Sequence, residues 1–141
     1  MSTSADSSDI EEGLKFRPKF DESGLVTCVA TDAGSGEVLM VAHMNDEALR
    51  KTIASGEAWY YSRSRQSLWR KGESSGHTQR VVEMRLDCDQ DAIWIRDEQI
   101  GAACHTGRRS CFYRAVTEGD GGARLAFVDA DRLFDPAKVY R

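Results

Sequence analysis

The chain has 141 residues, enough for one domain with a real core, and its 40% hydrophobic and 30% charged composition is that of a globular protein. No apolar run approaches the roughly 18 residues of a membrane helix, and the Ser- and Asp-rich stretch from Met1 to Glu12 has neither the basic nor the apolar part of a secretory signal. A cytoplasmic setting without a membrane partner is expected, and a net charge of -4 argues against a general nucleic-acid binder, which needs cationic surface to displace counterions.

The first 13 residues read as a flexible tail and residues 14–141 as a single domain. No repeat or Pro- and Gly-rich linker divides them, and Pro18 and Pro136 both lie near an end. Leu25 to Ala30 and Glu37 to Met44 read as strands joined by the turn Asp32-Ala33-Gly34-Ser35-Gly36, a hairpin. Asn45 can cap a helix with Asp46 and Glu47 in its first turn, Leu49 and Ile53 on one face, and Gly56 past its end. Ala58 to Ser62, Gln79 to Leu86 and Ala92 to Arg96 look extended, with Val82, Met84 and Leu86 alternating against Glu83 and Arg85. Phe112 to Val116 and Leu125 to Val128 complete the strands. Short strands, one or two helices and no βαβ alternation predict a small, mostly antiparallel, β-rich α+β domain.

Cys88, Cys104 and Cys111 occur as C-x15-C-x6-C. Thiolates are strong zinc ligands, and a catalytic zinc site has three protein ligands and leaves the fourth position to water. Spacing alone leaves three readings standing: this open site, a closed one with His105 as fourth ligand, and three unrelated buried cysteines. One backbone step separates Cys104 from His105, which favours an acid/base role for the histidine over shared ligation. Asp87, Asp89 and Asp91 alternate, so an extended segment would project all three from one face and Cys88 from the other. Such a ladder suits Mg²⁺, and it equally suits a solvated acidic turn. Ser62-Arg63-Ser64-Arg65 and the run from Trp69 to His77 mix cations, hydroxyls and glycines, the materials of a phosphate-holding loop, of a solvated face, or of a single-stranded nucleic-acid patch with Trp69 as stacking platform.

Together, Ser62-Arg63-Ser64-Arg65, Leu68-Trp69-Arg70-Lys71-Gly72-Glu73, Ser75-Gly76-His77, Leu86-Asp87-Cys88-Asp89 and Cys104-His105-Thr106-Gly107-Arg108-Arg109-Ser110-Cys111 closely resemble the phosphoribosyl-AMP cyclohydrolases of histidine biosynthesis, from about Leu39 through Arg114. The resemblance implies a hydrolase that opens the adenine ring of phosphoribosyl-AMP between N1 and C6 by zinc-activated water, with zinc, magnesium and a homodimer whose sites involve both subunits. By position it makes Cys88, Cys104 and Cys111 zinc ligands, Asp87, Asp89 and Asp91 magnesium ligands, and His105 the catalytic group. Arg63, Arg65, Trp69, Arg70, Lys71, Ser75, His77, Arg108 and Arg109 become the substrate-binding set. His43 stands where the family's Ala-aromatic-Met-Asn phrase has an aromatic residue, and Cys28 lies outside every motif. Two rivals stand beside this reading: deamination at C6, and a closed zinc module that binds nucleotide or RNA without turnover.

Overall fold

The computed structural model describes residues 7–139. The elements are α1 (Ser7–Glu12), β1 (Val26–Asp32), β2 (Val38–Met44), α2 (Asp46–Ser55), β3 (Trp59–Ser62), β4 (Ser67–Arg70), β5 (Gln79–Leu86), β6 (Ala92–Gln99), β7 (Arg114–Gly119), β8 (Gly122–Phe127) and α3 (Pro136–Val139). A four-stranded sheet in the order β2-β1-β6-β5 carries the core, and β3-β4 and β7-β8 form separate hairpins. The α+β class and its mostly antiparallel pairing match the sequence, with one exception: β1 and β6 run parallel, Thr27 beside Ala92 through Asp32 beside Asp97. Everything from β2 to β5 lies between them in the chain, a crossover that strand periodicity cannot reveal.

The β1-β2 hairpin closes at the expected turn, where the Asp32 carboxylate accepts hydrogen bonds from the amides of Gly34 and Ser35. In α2, Asn45 accepts from the Ala48 amide and Gly56, with φ +77°, caps the far end with its amide on the Thr52 carbonyl. The buried face of α2 differs from the expected one. Leu49 is fully buried, but Ile53 is 55% exposed, and Thr52 takes the inner position. Its hydroxyl donates to the Ala48 carbonyl and accepts from the Trp59 amide, pinning α2 to β3.

In β5 the expected alternation breaks at a bulge between Val81 and Glu83, which leaves Val82 exposed while Val81, Met84 and Leu86 pack on the core. The segment Ser67–Arg70, whose Trp69 and Arg70 open the run read in the sequence as a basic loop, is a strand paired with β3, Trp69 opposite Tyr60. α1 forms inside the stretch expected to be a tail, whose residues 1–6 lie outside the described residues, and α3 is a second short helix that no pattern announced. The fully buried centre contains Val26, Cys28, Ala30, Leu39, Met44, Leu49, Tyr60, Ile93 and Ile95. No helix among the described residues is long and apolar enough to cross a membrane.

Candidate active site

A cleft of about 510 Å³ opens beside β4. One wall is Leu68, Trp69, Arg70 and Lys71 with the turn Gly72 to Ser75; the other is Met40 of β2, Ala103, His105 and Cys111. The turn passes close under the following chain: a Cβ on Gly72, which has φ +86°, would meet the His77 carbonyl carbon at 2.6 Å, so only glycine fits. A second cleft of about 640 Å³ adjoins the first, sharing Arg65 and Trp69 and adding His43, Tyr61 and Arg63. Arg63 and Arg65 sit on the exposed β3-β4 turn, ordered by the Ser62 hydroxyl accepting from the Arg65 amide, and neither has an ion-pair partner among the described residues. The Trp69 ring leans on buried Tyr60 at 5.1 Å between centroids, which fixes its orientation at the junction of the two clefts.

The loop from Ala102 to Cys111 folds back on itself. The Ala103 amide donates to the Arg109 carbonyl and the Cys104 amide to the Arg108 carbonyl, while the Cys111 amide docks on the Leu39 carbonyl of β2. This closure brings the Cys104 and Cys111 thiols near enough to influence each other, and Thr106 donates its hydroxyl to the Cys104 sulfur at 3.1 Å. Burial, then the neighbouring Cys104, pushes the Cys111 thiol up to about 12, with Lys71 opposing. His105 stays exposed at the cleft rim.

Cys88 does not join this pair: it is exposed on the turn between β5 and β6, and the described residues hold no cluster of three cysteine ligands. That turn is where the acidic residues differ from a ladder. The Asp87 carboxylate accepts from the amides of Asp91 and Ala92, and Gln90 adopts φ +60°, so the segment curls rather than extends. The curl still gathers the three carboxylates, with one oxygen of each of Asp87, Asp89 and Asp91 within 4.8 Å of the others. Crowding by Asp89 and then Asp87 pushes the Asp91 carboxyl up to about 6. Such a cluster fits a hard divalent cation. Gln90, which no motif singled out, is buried within the turn and ties the N-terminal segment to it, its side chain accepting from the Arg17 amide and donating to the Lys15 carbonyl.

The remaining predicted residues occupy other places. Arg70 lines the first cleft but pairs with Glu57 at 3.1 Å. Ser75 lines it too and accepts from the His77 amide. The His77 ring packs on Phe134 at 4.8 Å, away from the cleft lining. Arg108 is buried against the rings of Tyr113 and Phe127, and Arg109 bridges Asp32 and Glu37, so both brace the cysteine loop from behind. Sequence reasoning missed the buried network behind the cleft, in which Tyr60 donates to Gln79 and Gln79 to Gln99 at 2.9 Å. It also missed Asp97, fully buried, with neither carboxylate oxygen hydrogen-bonded. Polar residues at inward positions of β5 and β6 were the available signal.

Residues 40–113 match the family model for phosphoribosyl-AMP cyclohydrolase. The chain is 79% identical over 138 residues to the phosphoribosyl-AMP cyclohydrolase of Bradyrhizobium diazoefficiens, covering 98% of this chain and 99% of that protein. It is 75% identical to that of Nitrobacter winogradskyi, covering 100% and 98%, and 71% identical to that of Rhodopseudomonas palustris strain BisB5, covering 99% of each.

Proposed function

The chain belongs to the phosphoribosyl-AMP cyclohydrolase family, and from that premise we propose that it hydrolyses the N1–C6 bond of the adenine ring of phosphoribosyl-AMP, in histidine biosynthesis, at the cleft between β4 and the cysteine loop. The observation that carries the reading is that one cleft holds Trp69, Arg65, His105 and Cys111 together. Each then has a task. The Trp69 face stacks the purine, an interaction worth about 1–3 kcal/mol per base. Arg65, with Arg63 in the adjoining cleft, holds phosphate, and the shared wall suits a substrate with a phosphate at each end.

Cys104 and Cys111 would hold zinc with Cys88, and that metal supplies, when bound, a water of lowered pKa for attack at C6. Addition of water at C6 makes a tetrahedral carbon; protonation of N1 then lets the N1–C6 bond break, leaving a carboxamide on the imidazole. His105, at the rim beside Cys104, is the group that takes the proton from the attacking water and returns it to N1. Asp87, Asp89 and Asp91 would hold magnesium, whose charge balances the phosphates. Cys88 lies apart from the Cys104–Cys111 pair, so a second copy of the chain supplies it, which makes the working unit a homodimer with shared sites.

Purified zinc-loaded protein is incubated with phosphoribosyl-AMP, the ultraviolet change of ring opening is followed, and ammonia is assayed in parallel. Ring opening without ammonia is expected; ammonia release would replace the reading with deamination, and no change in either channel would replace it with a binding module.

A further inference from the structure

Lys71 belongs by sequence with the cations that meet phosphate, yet its side chain is committed elsewhere. The residue is only 6% exposed, and Nζ donates to the Ala103 carbonyl at 2.7 Å. Its backbone is held as well, the amide donating to the Ala58 carbonyl at 3.0 Å. Arg65 on the neighbouring turn is exposed and without an ion pair among the described residues, so the cleft has a cation for phosphate without drawing on Lys71.

A buried ammonium with one neutral acceptor is costly unless anionic groups lie near. The groups that face Lys71 are Cys111 and Cys104 on the cleft side, which would carry negative charge once held by a metal as thiolates, and Asp97 from the core. Ala103 directly precedes Cys104, and its amide and carbonyl are both engaged, with Arg109 and Lys71 respectively. The lysine thus ties the end of β4 to the one residue from which Cys104 departs toward Cys111.

We propose that Lys71 is a positioning residue that clamps the Ala103–Cys104 backbone so that Cys104 and Cys111 meet at one cation, a role that rests on reading those thiols as zinc ligands. The clamp makes the cysteine pair a preformed site and places a fixed positive charge beside it. Outer-shell partners of this kind are worth about 10- to 100-fold in metal affinity.

Cobalt(II) titrated into metal-stripped protein reports sulfur ligation through its thiolate-to-metal charge-transfer band. Lys71→Met keeps the volume without donor or charge, and is expected to need at least about tenfold more cobalt for half-saturation than the wild type. Lys71→Arg, which retains both, regains most of that affinity. In the zinc enzyme, kcat of Lys71→Met falls while KM for phosphoribosyl-AMP stays within about twofold. Unchanged cobalt affinity in Lys71→Met overturns the proposal, as does a raised KM with unchanged kcat, the mark of a phosphate contact. A wild type without the sulfur band overturns the zinc reading and this role with it. Should the Met variant not fold, Lys71→Gln carries the same comparison with the same expected and overturning results.

Discussion

At the scale of the residue, the proposed mechanism divides labour between side chains that hold and side chains that react. Cys104 is buried and bonded by Thr106, whereas His105, one step along, faces the cleft. Cys104→Ser is therefore expected to lose both zinc and turnover. His105→Ala keeps zinc, measured by metal content, and loses about 10²- to 10⁴-fold in kcat; full activity in a metal-free His105→Ala protein would sink the mechanism. Asp97 poses a separate problem, since burial above all, then Asp32, pushes its carboxyl up to about 7. The folded state thus keeps a proton that the unfolded chain gives up from about pH 4 onward. Its stabilising contribution is complete below that pH and is lost as pH rises toward 7, by roughly 4 kcal/mol in all. In metal-free protein, the melting temperature of Asp97→Asn should vary less between pH 5 and pH 8 than that of the wild type, and should exceed it at pH 8.

At the scale of the element, the correction to α2 has a direct energetic reading. Leu49 is sealed in the core and Ile53 is 55% exposed, although both lie on the stripe that helical spacing marks as apolar. Leu49→Ala should cost about 2–5 kcal/mol in denaturant unfolding, and Ile53→Ala about 0.5 kcal/mol or less. Thr52 outcompetes Ile53 for the inner place because its hydroxyl satisfies the Trp59 amide where the helix meets β3. The β5-β6 turn is the other informative element. Three carboxylates, those of exposed Asp87 and Asp91 and half-buried Asp89, gathered within 4.8 Å repel one another unless a cation lies between them. Magnesium should raise the melting temperature of the wild type, and Asp91→Asn should abolish that response while raising the melting temperature in magnesium-free buffer. An equal magnesium response in both proteins would remove the turn from consideration as a cation site.

At the scale of the whole molecule, Cys88 stands apart from the Cys104–Cys111 pair in one chain, and the proposed zinc site therefore draws Cys88 from a second copy. Cys88→Ala and Cys104→Ala proteins, each inactive alone, should regain about a quarter of wild-type activity when mixed and allowed to exchange subunits, because half of the dimers then carry one intact site. No recovery would place all three ligands in one chain. What could be read before any coordinates follows from how local the signal is. The β1-β2 hairpin, the caps of α2 and the extent of β5 depend on turn chemistry and periodicity within a few residues, and these were legible in Asp32 to Gly36, Asn45 and Gly56. The clustering of Asp87, Asp89 and Asp91 and the phrase from Cys104 to Cys111 were legible because residue type at fixed spacing carries chemistry whatever the fold. The parallel β1-β6 pair, the bulge at Val82 and the strand at Ser67–Arg70 were not, since each depends on which distant strand lies alongside. The same holds for the cations: Arg63, Arg65, Lys71, Arg108 and Arg109 are alike in sequence. Only packing decides that the first two meet solvent at the clefts, that Lys71 turns inward to Ala103, and that Arg108 and Arg109 brace the loop from behind, because burial and partners are properties of the assembled core and not of the chain.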